Sequence, residues 1–470
     1  MFEVPSLSML TDLYQLTMAY GYWKLGIADK GSCFHLFYRT APFGGTFAVA
    51  AGLESIIEAC HRFGFSEEDL TYLATLRDAS GGRLLPDDFL DYLSELTLTC
   101  DIDGMPEGTL TFPLEPVLRV QGPLLQAQLL ETLLLNLTNF PTLIATKGAR
   151  LRLAAGSDEV MDFGLRRAQG IDGGMTATRA SFIGGCDSTS NVAAGQLYGI
   201  PIRGTHAHSW VMAFPTEEAS FEAYAEVMPD NCVLLVDTYH TLEGVKKAAR
   251  VGQALKKQGK RLLGIRLDSG DLLPLSIESR KILDAAGLQD AKIVASNELD
   301  EDQIAELKAG GSPISIWGVG TRLVTGHPQG ALGGVYKLAA VQEGGEWVYK
   351  AKRSDDPHKA TPPGRMQVRR YYGDEGRPIG DAIYALDKGI EPACTAESAH
   401  LGRKPLSGPY QDLLVPVLRK GRQVYNPPPL TAMREHTLTQ LRAFPQEKEP
   451  IPYFVGYEQG LYHILQELTQ

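Results

Sequence analysis

Cysteine is scarce in this chain and poorly placed for structural chemistry. Cys33, Cys60, Cys100, Cys186, Cys232 and Cys394 lie far apart, with no C-x-x-C pair. That argues against a thiolate metal site or a disulfide framework and fits a reducing cytoplasm. Long apolar runs are also missing. The most apolar stretch, GPLLQAQLLETLLLNLTNF, is interrupted by Gln126, Gln128, Glu131 and Asn136, whereas a membrane-spanning helix needs about 20 mostly apolar residues. It reads as a core helix, and no membrane partner is expected. The opening MFEVPSLSMLTDLYQ has neither the basic nor the apolar segment of a signal peptide. Positive charge is in deficit, with 45 Lys and Arg against 56 Asp and Glu and a net charge of −11. A surface of that sign argues against nucleic acid as a partner, although a few arginines and backbone N–H groups suffice for a small phosphorylated ligand. No G-x-x-x-x-G-K-S/T loop occurs, so any use of ATP is not of the P-loop kind.

At 470 residues two or three domains are expected. Residues 1–150 read as an N-terminal α/β layer: a helix from Leu10 to Leu25, strands in GSCFHLFYRT and TFAVAAG around a Pro-Phe-Gly-Gly turn, a helix near Glu54–His61, two short strands within Gly108–Gly122, then the long apolar helix. From 151 to 345 short apolar runs alternate with amphipathic helices. The runs are EVMDFG, SFIGG, IPIRGT, CVLLVDT, RLLGIRL, KIVAS and ISIWGVG. In HTLEGVKKAARVGQALKKQG, Leu242, Val245, Ala248, Ala249 and Gly252 fall on one helical face. Such alternation implies a parallel sheet, read here as an irregular β/α barrel, with an open doubly wound sheet as the alternative. Residues 346–470 are irregular and rich in Pro and charge (SDDPHKATPPGR, YNPPPL), with a helix over Thr431–Ala443. They read as a C-terminal region packing on the other two.

A β/α barrel gathers its chemistry just beyond the C-terminal ends of its strands. Arg166 and Arg167 follow EVMDFG, Asp187 and Ser188 follow SFIGG, and His206 and His208 follow IPIRGT. CVLLVDT carries Asp237 next to its last residue. RLLGIRL contains Arg266 and leads into Asp268, Ser269, Gly270 and Asp271. KIVAS ends at Ser296 beside Asn297, and ISIWGVG leads to Thr321 and Arg322. Any one of these could simply cap the next helix; seven on one expected face is harder to dismiss. The Gly318-Val319-Gly320-Thr321 loop could turn N–H groups toward a phosphate or be a plain tight turn. Asp268-Ser-Gly-Asp271 could face a metal-bound diphosphate or a ribose, or be an Asx turn. In an extended segment His206 and His208 point to one side, as a zinc pair requires. A metal-dependent hydrolase is therefore a rival reading, with only His240 and His327 available as further ligands. A satisfied core pair, or one working histidine beside a spectator, is the simpler account.

Taken together, LTDLYQLTMAYGYW, FPTLIATKGAR, DFGLRRAQGIDGG, GGCDSTSNVAAGQLYGIPIRGTHAHSWVMAF, LLVDTYHT, GIRLDSGDL, ASNELDE, GVGTRLVT and LGGVYKL resemble the nicotinate phosphoribosyltransferase family, in the family's order, over residues 10–338. The resemblance implies an N-terminal α/β domain on an irregular barrel. It also implies a homodimer or larger oligomer in which one subunit's N-terminal segment reaches a neighbour's site. The implied reaction joins nicotinate and phosphoribosyl pyrophosphate into nicotinate mononucleotide and pyrophosphate, with Mg²⁺ required and ATP hydrolysis coupled as co-substrate.

By the same resemblance, Tyr14, with Asp12 beside it, stacks on the pyridine ring, and at least one of Arg166 and Arg167 faces an anionic ligand. Arg266 and Thr205 contact the nicotinate end. Asp187 and Asp268 lie near the ribose or diphosphate, with Asp268 and Asp271 available to the metal. Ser296, Asn297, Gly318, Gly320 and Thr321 cradle phosphate. His208 is the histidine that ATP phosphorylates; His206 occupies a variable position. The related nicotinamide enzyme shares the layout but usually shows Arg-Gly where this chain has Arg166-Arg167, and it lacks the run from Gly204 to Ser209. The quinolinate enzyme is shorter and lacks D-F-G-x-R-R. A degenerate barrel that only senses a nucleotide would be expected to lack His208, Arg266 or Asp268, and all three are present.

Overall fold

The computed structural model describes residues 6–352, 362–444 and 453–469. Most of SDDPHKATPPGR and the first residues after Phe444 lie outside them. The chain divides into two compact units, residues 1–143 with 331–470, and residues 144–330. The N-terminal layer and the C-terminal region thus form one unit, where three consecutive segments were expected. The helix Glu131–Ala155 crosses the boundary between the units, which explains why no break is visible near residue 150.

In the first unit the strand Gly31–Tyr38 pairs antiparallel with both Leu118–Pro123 and Gly334–Glu343. Asp101–Gly104 then pairs with Leu118–Pro123 and with Val415–Arg419. A sheet of seven strands results from stretches far apart in the chain. A second sheet of six strands, including Met366–Tyr372 and Pro378–Ala385, is formed from the C-terminal region. Leu36, Ile102, Val120 and Val417 share one core cluster with Val368 and Ile383, so each sheet covers apolar surface of the other. The helix Leu13–Lys24 buries Gln15, Leu16 and Ala19. It leaves Leu13, Tyr14 and Met18 exposed. The apolar stretch after Pro123 forms the helix Leu124–Leu129 and the start of the next one. Among the described residues no helix is long and apolar enough to cross a membrane.

The second unit is the expected β/α layer. Six parallel strands stand in the order Ser188–Thr189, Glu159–Asp162, Ile316–Val319, Lys292–Ala295, Gly264–Leu267, Val233–Leu235. Helices such as Thr241–Lys257 pack on them, burying Val245, Ala248, Ala249 and Gly252 as the spacing requires. All strands run one way, so their C-terminal ends share one edge.

Two expected strands differ. SFIGG is the end of the helix Ile171–Gly184, which is buried from Ala177 onward and stopped by Gly185 in the left-handed region at φ 117°. A helix buried on most sides is as uniformly apolar as an inner strand, and periodicity cannot separate them. IPIRGT contributes only a bridge between Ile202 and Thr189, in which Thr189 N–H donates to Pro201 O and Arg203 N–H to Thr189 O.

Candidate active site

A cavity of about 500 Å³ opens at the C-terminal edge of the strands, lined among others by Phe163, Arg166, Arg167, Ser190, Thr205 and Arg266. Gly204, His206, Ala207, Asp268, Ser296, Asn297, Glu298, Gly318, Gly320 and Thr321 complete the lining. Most of the expected residues therefore converge. Arg266 enters from the strand Gly264–Leu267 and donates from Nη1 to Thr205 Oγ1 at 2.5 Å. Its Nε is buried without a hydrogen-bond partner. Burial lowers the guanidinium's pKa, partly offset by Asp268 and Asp237, but arginine stays charged. A buried cation with a spare N–H is suited to an incoming carboxylate. Arg166 and Arg167 stand on the short turn after Glu159–Asp162, both exposed, so three arginines line the cavity.

Carboxylates organise the turn that follows Gly264–Leu267. Asp237 Oδ2 accepts from the Asp268 N–H at 3.0 Å and from Ser269 Oγ at 2.6 Å, pinning the start of the D-S-G-D turn. Asp268 Oδ1 accepts from Ser296 Oγ. Its Oδ2 lies 3.6 Å from His208 Nε2, and both side chains are about two-fifths exposed (41% and 35%). His208 Nδ1 is 3.1 Å from Thr238 Oγ1. His208 stands beside the cavity, joined to it through Asp268. Asp271 caps the helix Leu272–Ala285, accepting from the Leu273 N–H at 3.3 Å, so its side chain does serve the Asx-type role weighed above.

The phosphate-loop residues have physical reasons to be what they are. Asn297 holds φ 113°, a conformation costly for a side-chain-bearing residue and often found where function over-determines the backbone. A Cβ on Gly318 would stand 2.6 Å from the Phe163 ring, so that glycine admits Phe163 to the cavity wall. Thr321 Oγ1 donates to Glu298 at 3.4 Å. Arg322 is turned away and paired with Asp300.

Asp187 is corrected. Because SFIGG is helical and the strand begins only at Ser188, Asp187 lies at the strand's N-terminal side. There it accepts from Arg152 at 2.9 Å and from the Val160 N–H at 2.8 Å. It lines a separate depression with Arg152, Asp158 and Arg203.

The two histidines also part company. The helix His208–Met212 begins at the second of them, which ends the extended geometry. His206 is buried against Tyr224 and Phe221, and its Nε2 accepts from the Leu235 N–H at 3.2 Å. Among the described residues no group of three or more His, Cys, Asp or Glu is placed to hold a metal ion. Asp12 and Tyr14 belong to the other unit: Asp12 accepts from Thr132 Oγ1 at 2.8 Å, and Tyr14 is 49% exposed.

Comparison with known proteins gives the chain its family. The family model for the nicotinate phosphoribosyltransferase N-terminal domain matches residues 9–139, that for the family itself 159–376, and that for its C-terminal domain 365–465. The chain belongs to the nicotinate phosphoribosyltransferase family. A nicotinate phosphoribosyltransferase of Bacillus subtilis is 46% identical over 393 residues, covering 83% of this chain and 78% of that protein. One from Dictyostelium discoideum is 37% identical, covering 98% and 88%. The crystal structure of human nicotinic acid phosphoribosyltransferase superposes with a TM-score of 0.83 at 34% identity, covering 97% of this chain and 99% of that one.

Membership in the nicotinate phosphoribosyltransferase family thus extends through the C-terminal region, where sequence reading found no motif. That reading also gave no role to Phe163, Ser190, Thr238 and Glu298. Phe163 stands inside the quoted D-F-G motif and Thr238 directly follows Asp237, so adjacency to known motif residues was the available signal.

Proposed function

We propose that this chain transfers the phosphoribosyl group of phosphoribosyl pyrophosphate to nicotinate, forming nicotinate mononucleotide and pyrophosphate, with ATP hydrolysis coupled through phosphorylation of His208. The observation that carries the reading is that three arginines, a carboxylate and a glycine turn share one cavity. Arg166, Arg167, Arg266 with its spare Nε, Asp268, Ser296 and the Gly320-Thr321 turn all line it. Three cations favour a pyridine carboxylate over an uncharged pyridine amide, which gains little from a guanidinium.

The pyridine nitrogen attacks C1 of the ribose as the C1–O bond to pyrophosphate breaks. The transition state resembles an oxocarbenium ion, so the residues mainly orient and balance charge. Thr205 aligns Arg266 for the nicotinate carboxylate. Ser296, Asn297, Gly318, Gly320 and Thr321 receive phosphate oxygens, and Ser296 also holds Asp268 against the ribose or diphosphate. Tyr14 and Asp12 act from a second copy of the chain in a homodimer or larger oligomer; the outward row of Leu13, Tyr14 and Met18 gives that copy an apolar surface to cover. Mg²⁺ suits the donor set, because the hard oxygens of Asp268 are too few for a protein cage and match an ion shared with a diphosphate, whose negative charge it would neutralise. Asp271 caps the next helix and lines a neighbouring pocket instead.

His208 is the nucleophile toward the γ-phosphate in this reading, supported by its contacts with Thr238 and Asp268. With Nδ1–H donating to Thr238 Oγ1, Nε2 presents its lone pair. Nε2 bonds to phosphorus, the bond to ADP breaks, and water later cleaves the labile phosphohistidine. Incubation with γ-labelled ATP should place acid-labile, base-stable phosphate on the peptide bearing His208. Label on another residue, or none, would contradict this coupling.

A further inference from the structure

His206 stands at an open seam of the barrel. The ladder runs from Val233–Leu235 round to Ser188–Thr189 and extends only to Pro201–Arg203. Among the described residues no backbone ladder joins that segment back to Val233–Leu235. The Val236 N–H is given to Arg266 O at 3.2 Å. By the alternation of a strand, the Leu235 N–H faces the opposite, unpaired edge. Its partner there is His206 Nε2, at 3.2 Å. The ring is only 7% exposed, lies 4.7 Å from the Tyr224 ring, and faces the Ala207 carbonyl with Nδ1 at 3.3 Å. Burial pushes its pKa down to about 4. It is therefore neutral, with Nδ1–H directed at the carbonyl and Nε2 left to accept. Thr205 precedes it and His208 follows two residues on.

We propose that His206 is a positioning residue: its imidazole replaces a ladder carbonyl across the barrel seam and so fixes the backbone that aims Thr205 at Arg266 and His208 at Asp268. The activity part of this inference rests on the reading of His208 and Arg266 given above; the seam itself does not.

Two variants of the full chain separate acceptor from bulk. His206→Gln can place an amide oxygen near the Nε2 position, whereas His206→Phe fills the space and accepts nothing. Hydrogen exchange at Leu235 is measured alongside ATP hydrolysed per mononucleotide formed, kcat, and KM for each substrate. In His206→Phe, Leu235 should exchange about fivefold faster or more, as expected for one lost hydrogen bond. ATP coupling should weaken and KM for nicotinate should rise, while KM for phosphoribosyl pyrophosphate stays near the parent value because the Gly320-Thr321 turn is carried elsewhere. His206→Gln should restore exchange, coupling and KM together. Equal impairment of both variants, or unchanged Leu235 exchange in His206→Phe, overturns the proposal. If His206→Phe does not fold, the Gln variant decides alone: parent-like protection and coupling support it, and loss of either overturns it. A parent enzyme that forms no mononucleotide would instead sink the functional reading and leave the exchange result standing.

Discussion

Arg266 Nη1 donates to Thr205 Oγ1 while Arg266 Nε stays buried and unpartnered. One face of the guanidinium is thus fixed by the protein and another is left for a ligand. An N–H buried away from water without a partner is costly, and a carboxylate would satisfy it.

Arg266→Ala is therefore expected to raise KM for nicotinate about ten- to hundredfold, the range of a lost charge-assisted contact. KM for phosphoribosyl pyrophosphate should change far less. Steady-state kinetics with each substrate varied in turn checks this, and equal changes would contradict it.

Removing the His208 imidazole should separate the two halves of the reaction. His208→Ala is expected to lose ATP hydrolysis and its coupling but retain slow, ATP-independent transfer. ATP turnover at the parent rate in the presence of both other substrates would show that phosphate goes elsewhere.

Tyr14 is half exposed on a helix whose other face is packed. Tyr14→Ala should leave thermal stability within about 0.5 kcal/mol, as for most surface substitutions, yet raise KM for nicotinate if the ring is presented to a second copy. Dilution to monomers should abolish activity for the same reason; a fully active monomer would refute the shared site.

A pH effect is expected far from the cavity, in the first unit. Burial, then repulsion from and hydrogen bonding with Asp381, holds the Glu115 carboxyl well above its ordinary pKa, with Arg370 opposing. Glu115 therefore keeps its proton to higher pH in the folded state than in the unfolded chain. Its contribution to stability is full below about pH 4.3, the ordinary value, and is lost as pH rises toward the folded-state pKa. Glu115→Gln should therefore unfold at a higher temperature than the parent near neutral pH, with the gap closing below about pH 4. A gap that does not depend on pH would disprove the assignment.

Much of the second unit could be read in the sequence because its signals are local. Short β-rich runs at Glu159, Val233, Gly264, Lys292 and Ile316 sit between helices of clear period, and the strand ends then point to Arg266, Asp268 and Ser296. Asp187 was misplaced because the reading of SFIGG as a strand put the wrong end of the chain at the cavity. His206 and His208 were grouped because two-residue spacing is informative only while the segment stays extended. The union of the N- and C-terminal regions was not legible either, since the pairing of Gly31–Tyr38 with Gly334–Glu343 joins stretches with no local mark of each other. The resemblance supplied the chemistry, and the structure shows which of its residues share one cavity.

The central claim is tested most directly by incubating the purified chain with phosphoribosyl pyrophosphate and Mg²⁺, offering nicotinate or nicotinamide, with and without ATP. The account predicts nicotinate mononucleotide and pyrophosphate in equal amounts, faster with ATP, and little product from nicotinamide. Equal use of both pyridines, or no mononucleotide from nicotinate, would contradict it.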